Sequence, residues 1–281
     1  MPELPEVETI KRGIIPHCNA QLIVKVFLYE IRLRWPIPED LANHITHQKI
    51  EAITRRSKYI LFTLKNGTLI WHMGMTGTLR LVDQGAPRKK HDHVDMELGS
   101  GKVLRFNDPR RFGALLWTDQ PIETHPLFTH LGPEPLSDHL TPEYLLNKAQ
   151  KRTVPIKTWL MDSKVVVGVG NIYANEVLFT TRIHPLTPVK QLTLGDCQKL
   201  VPAIQATLRA AIDAGGTTLK DFTQVDGKPG YFRHDLQVYG RKGKPCVSCG
   251  DMLQELRVSG RSTVFCPTCQ PRMNHNAGMD L

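Results

Sequence analysis

The stretch Cys246-Val-Ser-Cys249, followed sixteen residues later by Cys266-Pro-Thr-Cys269, decides how the C-terminal part of this chain folds. Each C-x2-C element is a tight turn that aims two thiolates the same way. Two of them at this separation suit one tetrahedral Zn²⁺, and a reducing compartment disfavours disulfides. Between the pairs, Leu253, Leu256 and Val258 precede Ser259-Gly260-Arg261-Ser262, and Val264 and Phe265 follow it. That order predicts a zinc-stapled β-hairpin with Arg261 at its tip, where the guanidinium is either a surface charge or a phosphate finger. Four protein ligands close the coordination sphere, so the metal serves folding rather than catalysis. The other two cysteines, Cys18 and Cys197, stand alone and read as buried apolar residues.

Ahead of the finger the pattern is helical over 156–163, 171–182, about 194–214 and a short piece near 217–223. Between the first two lies Lys164-Val-Val-Val-Gly168-Val-Gly170-Asn171. Asn171 is suited to cap the next helix, and a glycine-bearing turn at a helix N-terminus is either an ordinary turn or a phosphate site. The N-terminal half reads differently. A short helix near 5–15 is followed by β-rich runs at 21–29, 49–64, 68–73, 78–82, 92–98, 102–106 and 114–118, with hairpin turns at Asn66-Gly67 and Gly99-Ser100-Gly101. Strands this short and numerous predict a β-sandwich. The proline-bearing stretch 119–153 reads as a connection. The fold class is α+β.

The 281 residues carry a net charge of +9. No apolar run reaches the roughly 18–20 residues of a membrane span, and Glu3, Glu6 and Glu8 replace the basic flank of a signal peptide, so a cytoplasmic protein with no membrane contact is expected. The charge is uneven. Residues 51–115 hold twelve basic and six acidic side chains and residues 228–281 hold eight and four, whereas 1–50 and 116–227 are nearly balanced. Either basic block alone is ordinary solvated charge; two on opposite sides of a domain boundary fit a polyanion between them, and nucleic acid leads the partner classes.

The first residues carry candidate chemistry. Removal of Met1 would expose the secondary amine of Pro2, which titrates near ~7.7–8, far below lysine at ~10.4, and is partly nucleophilic at neutral pH. Such an amine can attack a sugar C1′ and open the ring to an iminium that acidifies the C2′ proton. Glu3 and Glu6 would lie on one side of a helix start and could handle protons. The same acids also fit a plainer role, complementing the helix dipole after Pro5 starts the helix.

Met1-Pro-Glu-Leu-Pro-Glu-Val-Glu-Thr9 resembles the start of the bacterial formamidopyrimidine-DNA glycosylase family. The resemblance continues through Arg56-Ser-Lys58-Tyr59, His72-Met-Gly-Met75, Lys90-His-Asp-His93, Asn107-Asp-Pro-Arg-Arg-Phe-Gly113, Gly168-Val-Gly-Asn-Ile-Tyr173, Gly215-Gly-Thr-Thr-Leu-Lys220, Asp226-Gly-Lys-Pro-Gly230 and the four cysteines. It implies an N-terminal β-sandwich (1–132), a linker (133–152), a helix-two-turn-helix domain with a lesion-capping loop (153–240), a zinc finger (241–270) and a tail (271–281). It further implies a monomer that binds double-stranded DNA containing oxidised bases in a cleft between domains. Carried over by position, Pro2 is the Schiff-base nucleophile, Glu3 a proton donor, Lys58 the β-elimination lysine, and Arg261 the finger arginine of δ-elimination. Glu6, Glu176 and Lys220 become supporting groups near the lesion. His72, His91, Arg110, Asn171 and Arg152 (or its neighbour Lys151) become DNA contacts.

Met75, Arg110 and Phe112 match the side chains that fill the void of an extruded base, although composition alone places Met75 and Phe112 in a core. His91-Asp92-His93 also admits a metal reading, against which strand alternation argues. The expected activity is removal of oxidised purines and strand cleavage at the resulting abasic site. Two alternatives are an endonuclease VIII-like preference for oxidised pyrimidines, whose usual Pro-Glu-Gly-Pro start differs at Leu4, and a noncatalytic zinc-dependent DNA-binding module.

Overall fold

The computed structural model describes residues 2–216 and 236–272. These group into two units, 2–130 with 211–216 and 131–210 with 236–272.

The first unit opens with helix α1 (Leu4–Cys18). Leu4, Val7, Ile10, Ile14 and Cys18 recur at helical spacing and are all buried. Eight strands follow: β1 (Ile23–Leu28), β2 (Ile50–Arg56), β3 (Tyr59–Leu64), β4 (Gly67–His72), β5 (Thr78–Asp83), β6 (Asp92–Leu98), β7 (Lys102–Asn107) and β8 (Ala114–Thr118). They form two antiparallel sheets ordered β1-β6-β7-β5 and β2-β3-β4-β8. Their inner faces share one apolar core with α1, in which Trp71 of β4 meets Phe106 of β7 edge to face at 5.6 Å. This is the expected sandwich.

The run 49–64 proves to be two strands. Arg56 pairs with Tyr59, so Ser57-Lys58 is a two-residue hairpin loop, with Ser57 at φ 55°. No glycine or asparagine marks this turn, which is why strand periodicity reads straight through it. What holds it is charge. The half-buried Arg55 donates to the carbonyl of Ser57 at 2.8 Å and to the Glu8 carboxylate of α1 at 3.0 Å, and Lys11 reaches the same carboxylate at 2.8 Å. Burial pushes the Glu8 pKa up, but these two cations outweigh it and hold the carboxyl below its ordinary range. Sequence periodicity also misses the five-residue helix α2 (Leu41–Ile45).

The other sheet presents the basic segment 88–91. Arg105 is buried and paired with Asp95 through two 2.7 Å contacts. Its guanidinium also donates to the carbonyls of Ala86 and Pro87. The buried Asp92 carboxylate accepts from Arg80, Asn107 and the Lys89 backbone.

In the second unit, the stretch read as a connection folds in part into α3 (Pro142–Ala149), whose start is capped by Thr141. Helix α4 (Ile156–Leu160) is shorter than its apolar pattern, α5 spans Asn171–Thr180, and α6 spans Leu194–Asp213. Strands β9 (Gln254–Val258) and β10 (Arg261–Phe265) form the hairpin. None of the helices among the described residues is long and apolar enough to cross a membrane. The helical piece near 217–223, the loop at Asp226–Phe232 and residues 273–281 of the tail lie outside the described residues.

Replacing Phe106 by alanine removes one face of the Trp71 contact and leaves a cavity between the sheets. A loss of about 3–5 kcal/mol is expected, measured as a lower urea midpoint for the N-terminal unit.

Candidate active site and zinc centre

Pro2 is buried immediately before α1. Glu3 takes the N-cap position in extended conformation (φ −97°, ψ −172°), and its backbone N–H donates to the Glu6 carboxylate at 2.8 Å. Glu3 is 3 % exposed and Glu6 0 %. Acids that only complement a helix dipole stay in water, where they lose no hydration. Both carboxylates here are withdrawn from water within one turn of Pro2, and they close a capping box in which the Glu3 side chain accepts from the Glu6 N–H while Glu6 accepts from the Glu3 N–H, so the helix-starting role is also met.

The sheet β2-β3-β4-β8 gathers further candidates at one end. Lys58 occupies the β2–β3 turn, and the next residue, Tyr59, pairs across β3–β4 with His72, their rings 4.8 Å apart. The Gly74 N–H donates to His72 Nδ1 at 3.0 Å. Burial, with the nearby Lys58 and Arg34 cations, pushes the His72 pKa down to about 4. The ring is therefore neutral at neutral pH with Nδ1 occupied as an acceptor, which leaves Nε2–H as a donor. A neutral donor of this kind can serve a phosphate oxygen without carrying charge.

Just beyond β4, the turn 73–77 carries the half-buried Met75, and the loop between β7 and β8 carries Arg110 and Phe112. Phe112 is 38 % exposed, with the Arg110 guanidinium 4.6 Å from its ring centroid. The core position that composition suggests for Phe112 is thus not where the chain puts it. Other large apolar side chains among the described residues, Tyr29 and Trp35 included, are as exposed, so exposure alone does not single out Phe112.

His91, at φ 71°, is half-buried on the loop before β6. Its neighbours are committed elsewhere: Asp92 holds the loop, and His93 Nε2 lies 2.7 Å from the Asp108 carbonyl. No metal cluster forms here among the described residues; the one that does is the cysteine set.

In the second unit, Gly168 turns the chain at φ 80° and Gly170 takes the cap position of α5. Asn171 is therefore the first helical residue and not the cap expected from sequence, because the extended backbone of Gly170 already occupies that place. The Asn171 Oδ1 is buried with no hydrogen-bond partner among the described residues. Glu176 accepts from three successive backbone N–H groups, those of Gln237 (2.7 Å), Val238 (3.1 Å) and Tyr239 (2.8 Å). Burial raises its pKa, and the three N–H bonds oppose that rise without cancelling it. Its carboxylate thus anchors the segment leading into the finger. Lys151 and Arg152 are both exposed, and Lys220 lies outside the described residues.

The four cysteine sulfurs all lie within 4.8 Å of one another, with Cys246 and Cys269 at 3.9 Å and Cys249 and Cys266 at 3.4 Å. Tetrahedral Zn–S bonds of ~2.3 Å place sulfurs roughly 3.8 Å apart, so the set fits one zinc ion. Backbone N–H groups of Ser248 and Cys269 point at the Cys246 and Cys266 sulfurs, the usual support for thiolate charge. The hairpin turn is Ser259-Gly260, both at positive φ, and Arg261 pairs with Val258 as the exposed first residue of β10, one place past the expected tip.

Sequence reading missed what carries this hairpin. Lys157, buried in α4, donates to the Ser262 carbonyl at 2.8 Å and to Thr263 Oγ1 at 2.6 Å, while Asn175 Oδ1 accepts from the Val264 N–H at 2.8 Å. The available signal was a lysine between Ile156 and Trp159, on the apolar face of a short helix.

Two outcomes are expected. ¹⁵N chemical shifts should show His72 neutral, with the Nε2–H tautomer, at pH 5.5. Since its folded pKa lies below the unfolded value near ~6.5, the stability it contributes is present above that pH and is lost as pH falls toward its folded pKa. Cys249→Ser should release zinc and weaken DNA binding about tenfold or more by loosening the strand that carries Arg261.

Comparisons with known proteins give the family. Residues 1–115 match the Formamidopyrimidine-DNA glycosylase N-terminal domain, 131–223 the Formamidopyrimidine-DNA glycosylase H2TH domain, and 243–272 the zinc finger found in FPG and IleRS. The formamidopyrimidine-DNA glycosylase of Vibrio parahaemolyticus is 54% identical over 271 residues, covering 96% of this chain and 100% of the relative. That of Saccharophagus degradans is 51% identical over 270 residues with the same coverage. A Lactococcus lactis FPG mutant, solved in complex with a Fapy-dG containing DNA, matches with a TM-score of 0.90 at 34% identity, covering 96% of this chain and 100% of that one. With family matches along most of its length and relatives more than half identical over 96% of it, this chain belongs to the formamidopyrimidine-DNA glycosylase family.

Proposed function

We propose that this protein removes oxidised purines, 8-oxoguanine and formamidopyrimidines, from duplex DNA and then nicks the abasic site. The observation that carries the reading is the pair of buried carboxylates, Glu3 and Glu6, within one turn of the buried Pro2. Removal of Met1, which lies outside the described residues, would free the secondary amine of Pro2, one residue before Glu3.

The amine attacks C1′ of the damaged nucleotide, and the C1′–N bond breaks with its electrons passing to the base. Glu3 supplies the proton for ring opening to the iminium, while Glu6 holds residue 3 in place through its backbone N–H. Lys58 assists removal of the C2′ proton, which expels the 3′-phosphate. A second elimination, assisted by Arg261, expels the 5′-phosphate, and water releases the sugar fragment from Pro2. His72, His91, Asn171 and Arg152 clamp the backbone. Met75, Arg110 and Phe112 fill the space the base vacates, which offsets part of the few kcal/mol that extrusion costs. Glu176 supports this site through the backbone it anchors, and Lys220 assists base departure. Zinc held by Cys246, Cys249, Cys266 and Cys269 keeps the Arg261 hairpin folded and touches no reacting atom.

Borohydride should trap the intact protein on a duplex carrying 8-oxoguanine opposite cytosine, with a mass that places the adduct at Pro2. Pro2→Gly should trap markedly less; equal trapping would remove the proline from the mechanism. Faster excision of thymine glycol than of 8-oxoguanine would overturn the substrate assignment. DNA affinity should fall with salt at a log–log slope of about −0.9 per phosphate neutralised.

A further inference from the structure

The side chains proposed to fill the void stand on two separate segments, the turn 73–77 after β4 and the loop 108–113 before β8. We infer that Thr76 and Asp108 form a clasp that locks these segments into one wedge, so that Met75, Arg110 and Phe112 enter the duplex as a unit. The inference rests on the void-filling reading given above.

Asp108 is 0 % exposed, and among the described residues its carboxylate is held by uncharged donors. One oxygen accepts from the Thr76 hydroxyl at 2.7 Å and the other from the Gly113 N–H at 2.8 Å. The Thr76 oxygen in turn accepts from the Arg110 N–H at 3.4 Å. A single carboxylate therefore spans both ends of the loop and the facing turn. Burial excludes water that would compete for these bonds, and the low local dielectric strengthens them.

Backbone packing closes the same contact. A Cβ on Gly74, which sits at φ 66°, would lie 2.4 Å from the Phe112 carbonyl carbon. One on Gly113 would lie 2.9 Å from the His72 carbonyl oxygen. The two segments touch at a distance only glycine permits. A wedge must keep its shape while it displaces stacked bases, and mobile loops would lose that work to their own disorder.

A general structural role for the clasp predicts uniform loss of activity; the wedge predicts a selective one. Excision from an 8-oxoguanine duplex requires extrusion, whereas strand cleavage at a preformed abasic site has no base to extrude. Thr76→Val keeps the shape and removes the hydroxyl. It should slow excision roughly ten- to a hundredfold, the scale of a misplaced positioning contact, with abasic-site cleavage within about twofold of wild type. Thr76→Ser should restore excision. Met75→Ala and Phe112→Ala should be non-additive in the wild-type background and additive with Thr76→Val.

Equal losses on both substrates, or no loss on either, would overturn the clasp. Should Met75→Ala and Phe112→Ala themselves leave excision unchanged, the void-filling reading fails. Should they slow it while Thr76→Val does not, the clasp alone fails. Asp108→Asn, paired with a thermal unfolding curve, serves as the second variant. It should reproduce the selective loss at an unchanged midpoint, and a uniform loss at that midpoint counts against the clasp.

Discussion

The antiparallel register that sets Tyr59 against His72, and His72 against Ala114, is the constraint on which the N-terminal site depends. Side chains alternate along a strand, so a slip of one residue would turn His72 to the other face and expose the buried Trp71 to water. Because the register is held, the β2–β3 turn, the end of β4 and the start of β8 arrive together. These carry Lys58, His72 with Met75, and the loop of Arg110 and Phe112. The apolar core beneath, with Trp71 against Phe106, fixes the register by making every alternative bury polar groups.

A second regularity runs through both units. In a chain with an excess of positive charge, the buried acids serve as fasteners for the backbone. Glu6 holds the N–H of Glu3, Asp92 that of Lys89, Asp108 that of Gly113, and Glu176 those of residues 237–239. Glu8 acts one step removed, through Arg55 and the Ser57 carbonyl. Several of the proposed functional residues, Pro2, Lys58, His91 and Phe112, lie within two residues of a backbone group tied in this way. Exposed cations such as Arg110 and Arg261 suit a polyanion, while buried acids set loops near them.

Much of this was legible beforehand. Short apolar alternations gave the sandwich strands, and the two C-x2-C pairs gave the finger, because period and ligand spacing are local properties. The turn at Ser57-Lys58 was hidden since the half-buried Arg55, not a turn residue, enforces it. Helix α3 was hidden by proline density, although Pro142 sits where a helix start tolerates it. The capping of α5 by Gly170 instead of Asn171 turns on a backbone angle that composition does not encode. Lys157 and Glu176 escaped notice as fasteners because their partners lie tens of residues away, where no pattern along the chain can point, and Asp108 is tied to Thr76 across 32 residues as well as to Gly113 nearby.

The cysteines divide by more than metal binding. Burial holds the thiols of Cys18 and Cys197 up at about 12 and about 11, so both stay protonated and unreactive toward peroxide. Of the four finger sulfurs, Cys249 is exposed and is the one an oxidant in solution can reach. The oxidants that produce the proposed lesions can thus reach a sulfur of the set that holds the finger together.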